Sequence, residues 1–309
     1  MARKLILDVD PGVADALALC LALNSPDLEV VAVTATGGNV APRQASRNVQ
    51  ALVEHLDPPR WPRIGFADEQ QPLRTDGREL WGPDGFCGAE LKMAELHQQH
   101  PSPKVLAEEI RNSPGDVTVI AGGPLSNLAS AFQLEPDLPM QVGHLIVVGG
   151  TLDGPGDVTA AAEFNVHCDA DAAQRVFRSP ATMTLLPRDV SARAAMTFDL
   201  LNHLPSERTP CGRLLRTLLP GALQAYRQRL GLEGMFVAEA VAVIAALHPE
   251  LFTTERLACD VETEGALTHG ATVIDRRQRT LDRPNMDVVV DLDAPSVIEQ
   301  IFRGLREGG

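Results

Sequence analysis

The sequence is poor in aromatic residues and in cations, and it has no long apolar run. Only 4% of its 309 residues are aromatic, among them two Trp and a single Tyr. No stretch reaches the roughly 18 uninterrupted apolar residues that a membrane-crossing helix needs. Association with a membrane is therefore not expected. The opening MARKLILDVDPG lacks the apolar core of a secretion signal, so a cytoplasmic protein is expected. Lys and Arg number 27 against 41 Asp and Glu, a formal net charge of −14. Binding to nucleic acid needs cationic surface to neutralise phosphates, so that partner is excluded as well. The five cysteines (20, 87, 168, 211, 259) are scattered, with no Cys-x-x-Cys pair. They read as reduced thiols, and they argue against a disulfide framework or a zinc site. No repeat, low-complexity tract or linker is visible, so one domain over residues 1–309 is expected.

What is present is a large stock of core residues. Hydrophobic residues make up 44% of the chain and charged ones 22%, which is ordinary globular composition. Short apolar runs at 4–9, 28–35, 116–121, 144–148 and 183–186 fit buried strands. Helix-like segments lie at 14–23, 42–56, 103–112, 125–132 and 170–177. Such alternation predicts an α/β fold with a mostly parallel central sheet flanked by helices. The C-terminal part is more helical. Residues 213–230 and 235–247 read as two helices joined by a turn at 231–234. Late strands at 256–262, 270–275 and 286–291 precede a closing helix at 296–305. A site is expected at the carboxyl ends of the parallel strands.

Asp8, Asp10 and Asp15 crowd around Pro11-Gly12, where the first strand gives way to the first helix. Carboxylates packed this way repel unless some stay protonated or a cation neutralises them. A hard divalent ion with oxygen ligands, Ca²⁺ or Mg²⁺, answers that need. The plainer reading makes Asp15 a partner for the helix dipole and Asp10 a turn residue. Three Asp in eight residues weigh against it.

Haloacid-dehalogenase-type phosphatases also carry Asp-x-Asp after a first strand, but the continuation Pro-Gly-Val-Ala-Asp-Ala fits them poorly. The chain resembles the inosine-uridine-preferring nucleoside hydrolases much more closely. Their opening signature is Asp-x-Asp-Pro-Gly-x-Asp-Asp, against Asp8-Val9-Asp10-Pro11-Gly12-Val13-Ala14-Asp15 here. The likeness continues in order through Thr34–Asn39, Trp81–Gly85, Ala121–Asn127, Gly149-Gly150, Ala162–Asn165 and Val237–Val243.

The resemblance implies hydrolysis of the N-glycosidic bond of a ribonucleoside or related N-riboside, with Ca²⁺ bound. Asp10 matches the general base and an ion ligand. Asp15 matches a bidentate ligand, Gly122 a backbone-carbonyl ligand, and Glu239 a last carboxylate ligand that is Asp in the family. Glu163, Asn165 and Asn39 match residues lining the sugar site. Asp157 stands where the family has Asn, and it offers a charge to replace the one lost at Ala14. Trp81 stands where the family has His, suited to stack on a base or close the pocket. Ala14 replaces a signature Asp, and Ala238 replaces the His that helps a purine leave. Two readings follow. Either the metal centre survives with retuned sugar and base pockets, or the chain has become a nucleoside-binding or regulatory protein. The resemblance also implies a homodimer or homotetramer. Tyr226, Arg227 and Arg229 lie in a helix-like stretch and read as a solvated face. Glu163-Phe164-Asn165 taken alone reads as an exposed loop with one buried Phe.

Overall fold

The computed structural model describes residues 2–92, 100–277 and 283–307. The first half alternates strands and helices: β1 (Arg3–Val9), α1 (Val13–Asn24), β2 (Leu28–Ala35), α2 (Pro42–Leu56), β3 (Arg63–Phe66), the single turn α3 (Arg78–Trp81), β4 (His100–Pro101), α4 (Ser102–Asn112), β5 (Val117–Ala121), α5 (Ser126–Leu134) and β6 (His144–Val148). Then come α6 (Phe164–Cys168), α7 (Ala170–Phe177), β7 (Met183–Leu186), α8 (Arg188–Ser191), β8 (Met196–Thr197), α9 (Pro210–Ala225), β9 (Gly234–Met235) and α10 (Ala238–Leu247). The chain closes with β10 (Phe252–Val261), β11 (Thr272–Asp275), β12 (Met286–Leu292) and α11 (Ala294–Glu307).

Ten strands form one sheet in the order β11-β10-β12-β7-β6-β5-β1-β2-β3-β4. Every pairing from β12 across to β4 is parallel, and only β10 runs antiparallel to its neighbours β12 and β11. This is the expected mostly parallel sheet. Both of its faces are covered, which is why its strands read as continuous apolar runs. Leu5, Leu7 and Val9 of β1 pack against α1, α2, α9, α10 and α11. Ile6, between them, faces the layer of α4, α5 and α7. Among the described residues no helix is long and apolar enough to cross a membrane. All five cysteines are free thiols.

β1 is flanked by β2 on one side and β5 on the other, so the chain leaves it in one direction and later returns on the opposite side. A crevice opens at the carboxyl ends of strands where the order switches in this way. Local chemistry stops the elements on time. Asp57, at φ 41°, ends α2 in a left-handed conformation ahead of Pro58-Pro59, and its N–H donates to Val53 O. Thr209 caps α9 by accepting from the Gly212 N–H, with Pro210 in the first helical position.

Three readings of the chain need correction. The 235–247 segment does not start as helix: Gly234–Met235 pairs antiparallel with Met196–Thr197, and α10 begins only at Ala238. The 213–230 helix starts earlier, at its Thr209 cap, and widens into a π-turn over Tyr226–Leu230 that Gly231 ends at φ 69°. β3 was not expected, because Arg-Ile-Gly-Phe is too short and too little apolar to stand out; its partner β2 and the covering α4 define it.

Asn127 fastens the switch point from below. Its Nδ2 donates to Asp8 Oδ1 at 2.8 Å and to Ala35 O at 2.8 Å, joining α5 to the ends of β1 and β2. Asn127→Ala deletes both bonds within a buried region. It is expected to lower unfolding free energy by about 2 kcal/mol in urea titrations.

Candidate active site

Pro11 and Gly12 stop β1 at Val9, so Asp10 falls just past the end of a central strand. Its Oδ2 accepts the Asn39 N–H at 2.7 Å. Two glycines press on it. A Cβ at Gly38 would lie 2.0 Å from Asp10 Oδ2, and one at Gly123 would lie 3.0 Å from Asp10 Cγ. Asp15 is the third residue of α1, and its Oδ2 reaches back to the Gly12 N–H at 2.8 Å. The reading of Asp15 as a partner for the start of its helix thus fits one oxygen. The other oxygen, Oδ1, is buried and has no hydrogen-bond partner.

Gly122 follows β5 directly, and its N–H donates to Asp8 O at 2.8 Å. Glu239 is the second residue of α10. The two approach closely: a Cβ at Gly122 would stand 3.0 Å from Glu239 Cγ and 3.5 Å from Asp15 Oδ1. Asp10, Asp15, Gly122 and Glu239 therefore meet at one place, above β1 and β5. Asp8 does not join them. It turns under the site, where Thr34 Oγ1 donates to its Oδ1 at 2.6 Å alongside Asn127.

The electrostatics are those of carboxylates that lack a counter-charge. Burial raises the pKa of Asp10 well above the usual carboxylate range, and the charges of Asp15 and Glu239 raise it further. Burial and the charge of Asp15 do the same to Glu239. Burial pushes Asp15 up to about 7 against the lowering effect of the Gly12 N–H. Among the described residues no three His, Cys, Asp or Glu side chains lie close enough together to hold a metal ion between them. The donor chemistry nonetheless suits a hard divalent cation. All the groups are oxygens, the carboxylates repel one another, and the orphaned Asp15 Oδ1 is a ready ligand. Of Asp15, only Oδ1 is free, since Oδ2 is committed to Gly12.

The residues expected to line a sugar are near but differently engaged. Glu163 is buried and caps α6: its Oε2 accepts the N–H groups of Gly150 at 2.9 Å and Val166 at 3.2 Å. Burial, and then the charge of Asp157, raise its pKa to about 7. Gly149, at φ 148°, has room only for hydrogen, because a Cβ there would meet Glu163 Oε2 at 2.9 Å. Asn165 Nδ2 donates to Gly122 O at 2.9 Å and to Val148 O at 3.1 Å. The exposed-loop reading of 163–165 is therefore wrong. Glu163 and Asn165 are buried, and Phe164 is the half-buried member. Asn39 is half-buried between Gly12 and Gly77. Asp157 is not a free charge replacing the one lost at Ala14; it forms an ion pair with Arg188, Nε to Oδ2 at 2.8 Å.

An aromatic wall stands beside these groups. Trp81 is buried against Tyr226 with ring centroids 5.7 Å apart, and Tyr226 meets Phe236 edge-on at 5.8 Å. The solvated-face reading is correct for Arg227 and Arg229 but wrong for Tyr226, which is only 6% exposed. The π-turn that extends α9 carries the ring inward. Arg188 and Phe236 escaped the sequence reading altogether. A signal for Arg188 exists: like Asp10 and Gly122, it follows the end of a parallel strand by one or two residues.

A family model described as inosine-uridine preferring nucleoside hydrolase matches residues 5–299. The pyrimidine-specific ribonucleoside hydrolase RihA of Klebsiella pneumoniae is 33% identical over 310 residues, covering 99% of both chains. That of Escherichia coli is 32% identical over 311 residues, again covering 99% of each. Among solved structures, a purine-preferring ribonucleoside hydrolase from Gardnerella vaginalis superposes with a TM-score of 0.90 at 27% identity, over 98% of each chain. A plant nucleoside hydrolase gives a TM-score of 0.89 at 26% identity, over 99% of each.

Gly38→Ala tests the packing on Asp10 directly. The new methyl must displace the Asp10 carboxylate, because Gly38 has no unusual backbone angle that would strain an Ala. Turnover is expected to fall on the order of 100-fold, the cost of misplacing a reacting group by about an ångström. The far-ultraviolet circular dichroism spectrum should be unchanged.

Proposed function

The chain belongs to the inosine-uridine preferring nucleoside hydrolase family, and we propose that it cleaves the N-glycosidic bond of ribonucleosides at the Asp10–Glu239 cluster with calcium bound. The products are a free base and ribose. The observation that carries this reading is the meeting of Asp10, Asp15 and Glu239, buried and mutually repelling, at the carboxyl ends of β1 and β5. Family membership assigns the reaction class, and the cluster supplies its chemistry. Pyrimidine nucleosides are the favoured substrates. The RihA relatives named above are pyrimidine-specific by name, and Ala238 offers no imidazole to protonate a departing purine.

Asp15, Glu239, Asp10 and the Gly122 carbonyl would hold the ion. When bound, calcium lowers the pKa of a water and neutralises the carboxylates. Asp10, fixed by the Asn39 N–H and by Gly38 and Gly123, is the group that takes the water's proton. Glu163 and Asn165 are held rigidly enough by Gly150, Val148 and Gly122 to orient ribose hydroxyls. The remaining anionic character of the pocket favours the positive charge that develops on the sugar. Trp81 and Tyr226 give the base an aromatic wall.

Ribose release from uridine, cytidine, inosine and adenosine, with calcium present, tests this reading. The wild type is expected to release ribose, fastest from the pyrimidines, and Asp10→Ala to lose that activity. Absence of release above Asp10→Ala on every substrate would overturn the hydrolase assignment in favour of a nucleoside-binding role. The ion has an independent readout. Calcium at about 100 times its Kd is expected to stabilise the fold by about 2.7 kcal/mol, raising the melting temperature. Asp15→Ala should abolish that rise.

A further inference from the structure

Breaking an N-ribosidic bond leaves its electron pair on the base, so the departing base gathers negative charge that needs a proton or a cation. Ala238 supplies neither. A cation close to this region is Arg188, the first residue of α8 at the carboxyl end of β7. Its N–H donates to Gly150 O at 2.9 Å, and the Gly150 N–H donates in turn to Glu163 Oε2 at 2.9 Å. The backbone of Arg188 is thus tied to the residue that holds the proposed sugar carboxylate. Its guanidinium lies over the Phe236 ring, 5.0 Å from the centroid. Phe236 is three residues before Glu239 and packs on Tyr226 of the aromatic wall. The side chain therefore bridges the Glu163 loop and the start of α10. Consistent with that position, the Tyr226 hydroxyl feels the charges of both Glu239 and Arg188.

The guanidinium is fixed but not fully used. Nε is 2.8 Å from Asp157 Oδ2, and one face rests on Phe236. Among the described residues neither Nη1 nor Nη2 donates a hydrogen bond to the protein. The side chain keeps 26% of its surface exposed. A planar fork held at one end with its other N–H groups open is a receptor for a charged oxygen.

We propose that Arg188 is the leaving-group residue of this enzyme, its free N–H groups binding an oxygen of the base and stabilising the base anion as the bond to C1′ breaks. The inference rests on the hydrolase reading above. It selects bases with a carbonyl oxygen adjacent to the glycosidic nitrogen, the arrangement in uracil and cytosine. In the step, the water oxygen bonds to C1′ and one water proton passes to Asp10. The C1′–N electron pair stays with the base, whose anion then takes a proton from solvent, and Asp10 returns its proton to solvent. Nucleoside and water become ribose and base.

The test compares two substrates. Uridine needs its leaving group stabilised; 4-nitrophenyl β-D-ribofuranoside expels a nitrophenolate that leaves unaided. The kcat/KM of each is measured for the wild type, Arg188→Met and Arg188→Lys. The uridine-to-nitrophenyl ratio is expected to fall on the order of 100-fold in Arg188→Met. Arg188→Lys keeps the charge but not the fork, so its ratio is expected to fall roughly tenfold. A residue that only braces Phe236 and Asp157 would lower both substrates together. An unchanged ratio in either variant, with an active wild type, overturns the assignment of Arg188 alone. A wild type silent on both substrates overturns the hydrolase reading and this inference with it.

Discussion

The repulsion among buried carboxylates at the carboxyl ends of β1 and β5 is the constraint around which the rest of this structure is arranged. Asp10 and Asp15 come from one strand-to-helix turn and Glu239 from a helix more than 220 residues later, and the charges of Asp15 and Glu239 raise the pKa of Asp10. Nothing apolar in the fold rewards bringing them together. The surrounding backbone instead holds each one singly. The Asn39 N–H holds Asp10, and the Gly12 N–H holds Asp15. Such a cluster costs folding free energy, and a structure keeps such features where chemistry requires them. The large two-faced core supplies the stability that offsets this cost.

The walls of the crevice are held by the same device, in which one side chain gathers several backbone groups. Asp189 accepts the N–H groups of Leu152, Asp153 and Gly154, and these hydrogen bonds pull its pKa below the usual carboxylate range against the effect of burial. Its neighbour Arg188 takes Asp157 from further along the same loop. A single dipeptide after β7 therefore anchors the segment that leads to Glu163. On the opposite side Asn48 of α2 donates to Pro11 O at 3.0 Å and to Asp84 O at 2.8 Å. That links the turn after Asp10 to the loop after Trp81. Catalytic loops of a parallel α/β sheet are exposed by topology; here a few polar side chains of the rigid layers fix them.

Much of the frame was legible in the sequence, for a physical reason. β2 reads as a strand because Leu-Glu-Val-Val-Ala-Val-Thr-Ala is buried on both faces, and α2 because Val49, Leu52, Val53 and Leu56 fall on one side before Asp57-Pro-Pro. The Asp10–Asp15 cluster was legible because its members lie within one strand-to-helix turn. What was not legible depends on distant partners. Glu163 looks like a loop residue until Gly150, 13 positions earlier, is brought beside it. Tyr226 looks solvated until a π-turn rotates it toward Trp81 and Phe236. Periodicity at 3.6 residues per turn puts that ring on the wrong face, since a wider turn breaks the pattern on which the reading depends.

The departures from the family pattern are not independent of one another. A Glu at position 239 is one methylene longer than the Asp that the resemblance implies there, and that extra length has to go somewhere. It goes over Gly122, where even a single methyl would come within 3.0 Å of Glu239 Cγ. The glycine at 122 and the long side chain at 239 thus fit together and keep a carboxylate beside Asp15. Ala238 follows Phe236 by two residues, and Arg188 lies over that ring. The first lacks a group that could assist a departing base, and the second brings a guanidinium to the neighbouring Phe236. Glu239 and Ala238, each taken alone, read as a loss of function. Each becomes intelligible beside its neighbour in space, because the reaction fixes which charges the pocket must hold while leaving open which residue carries them.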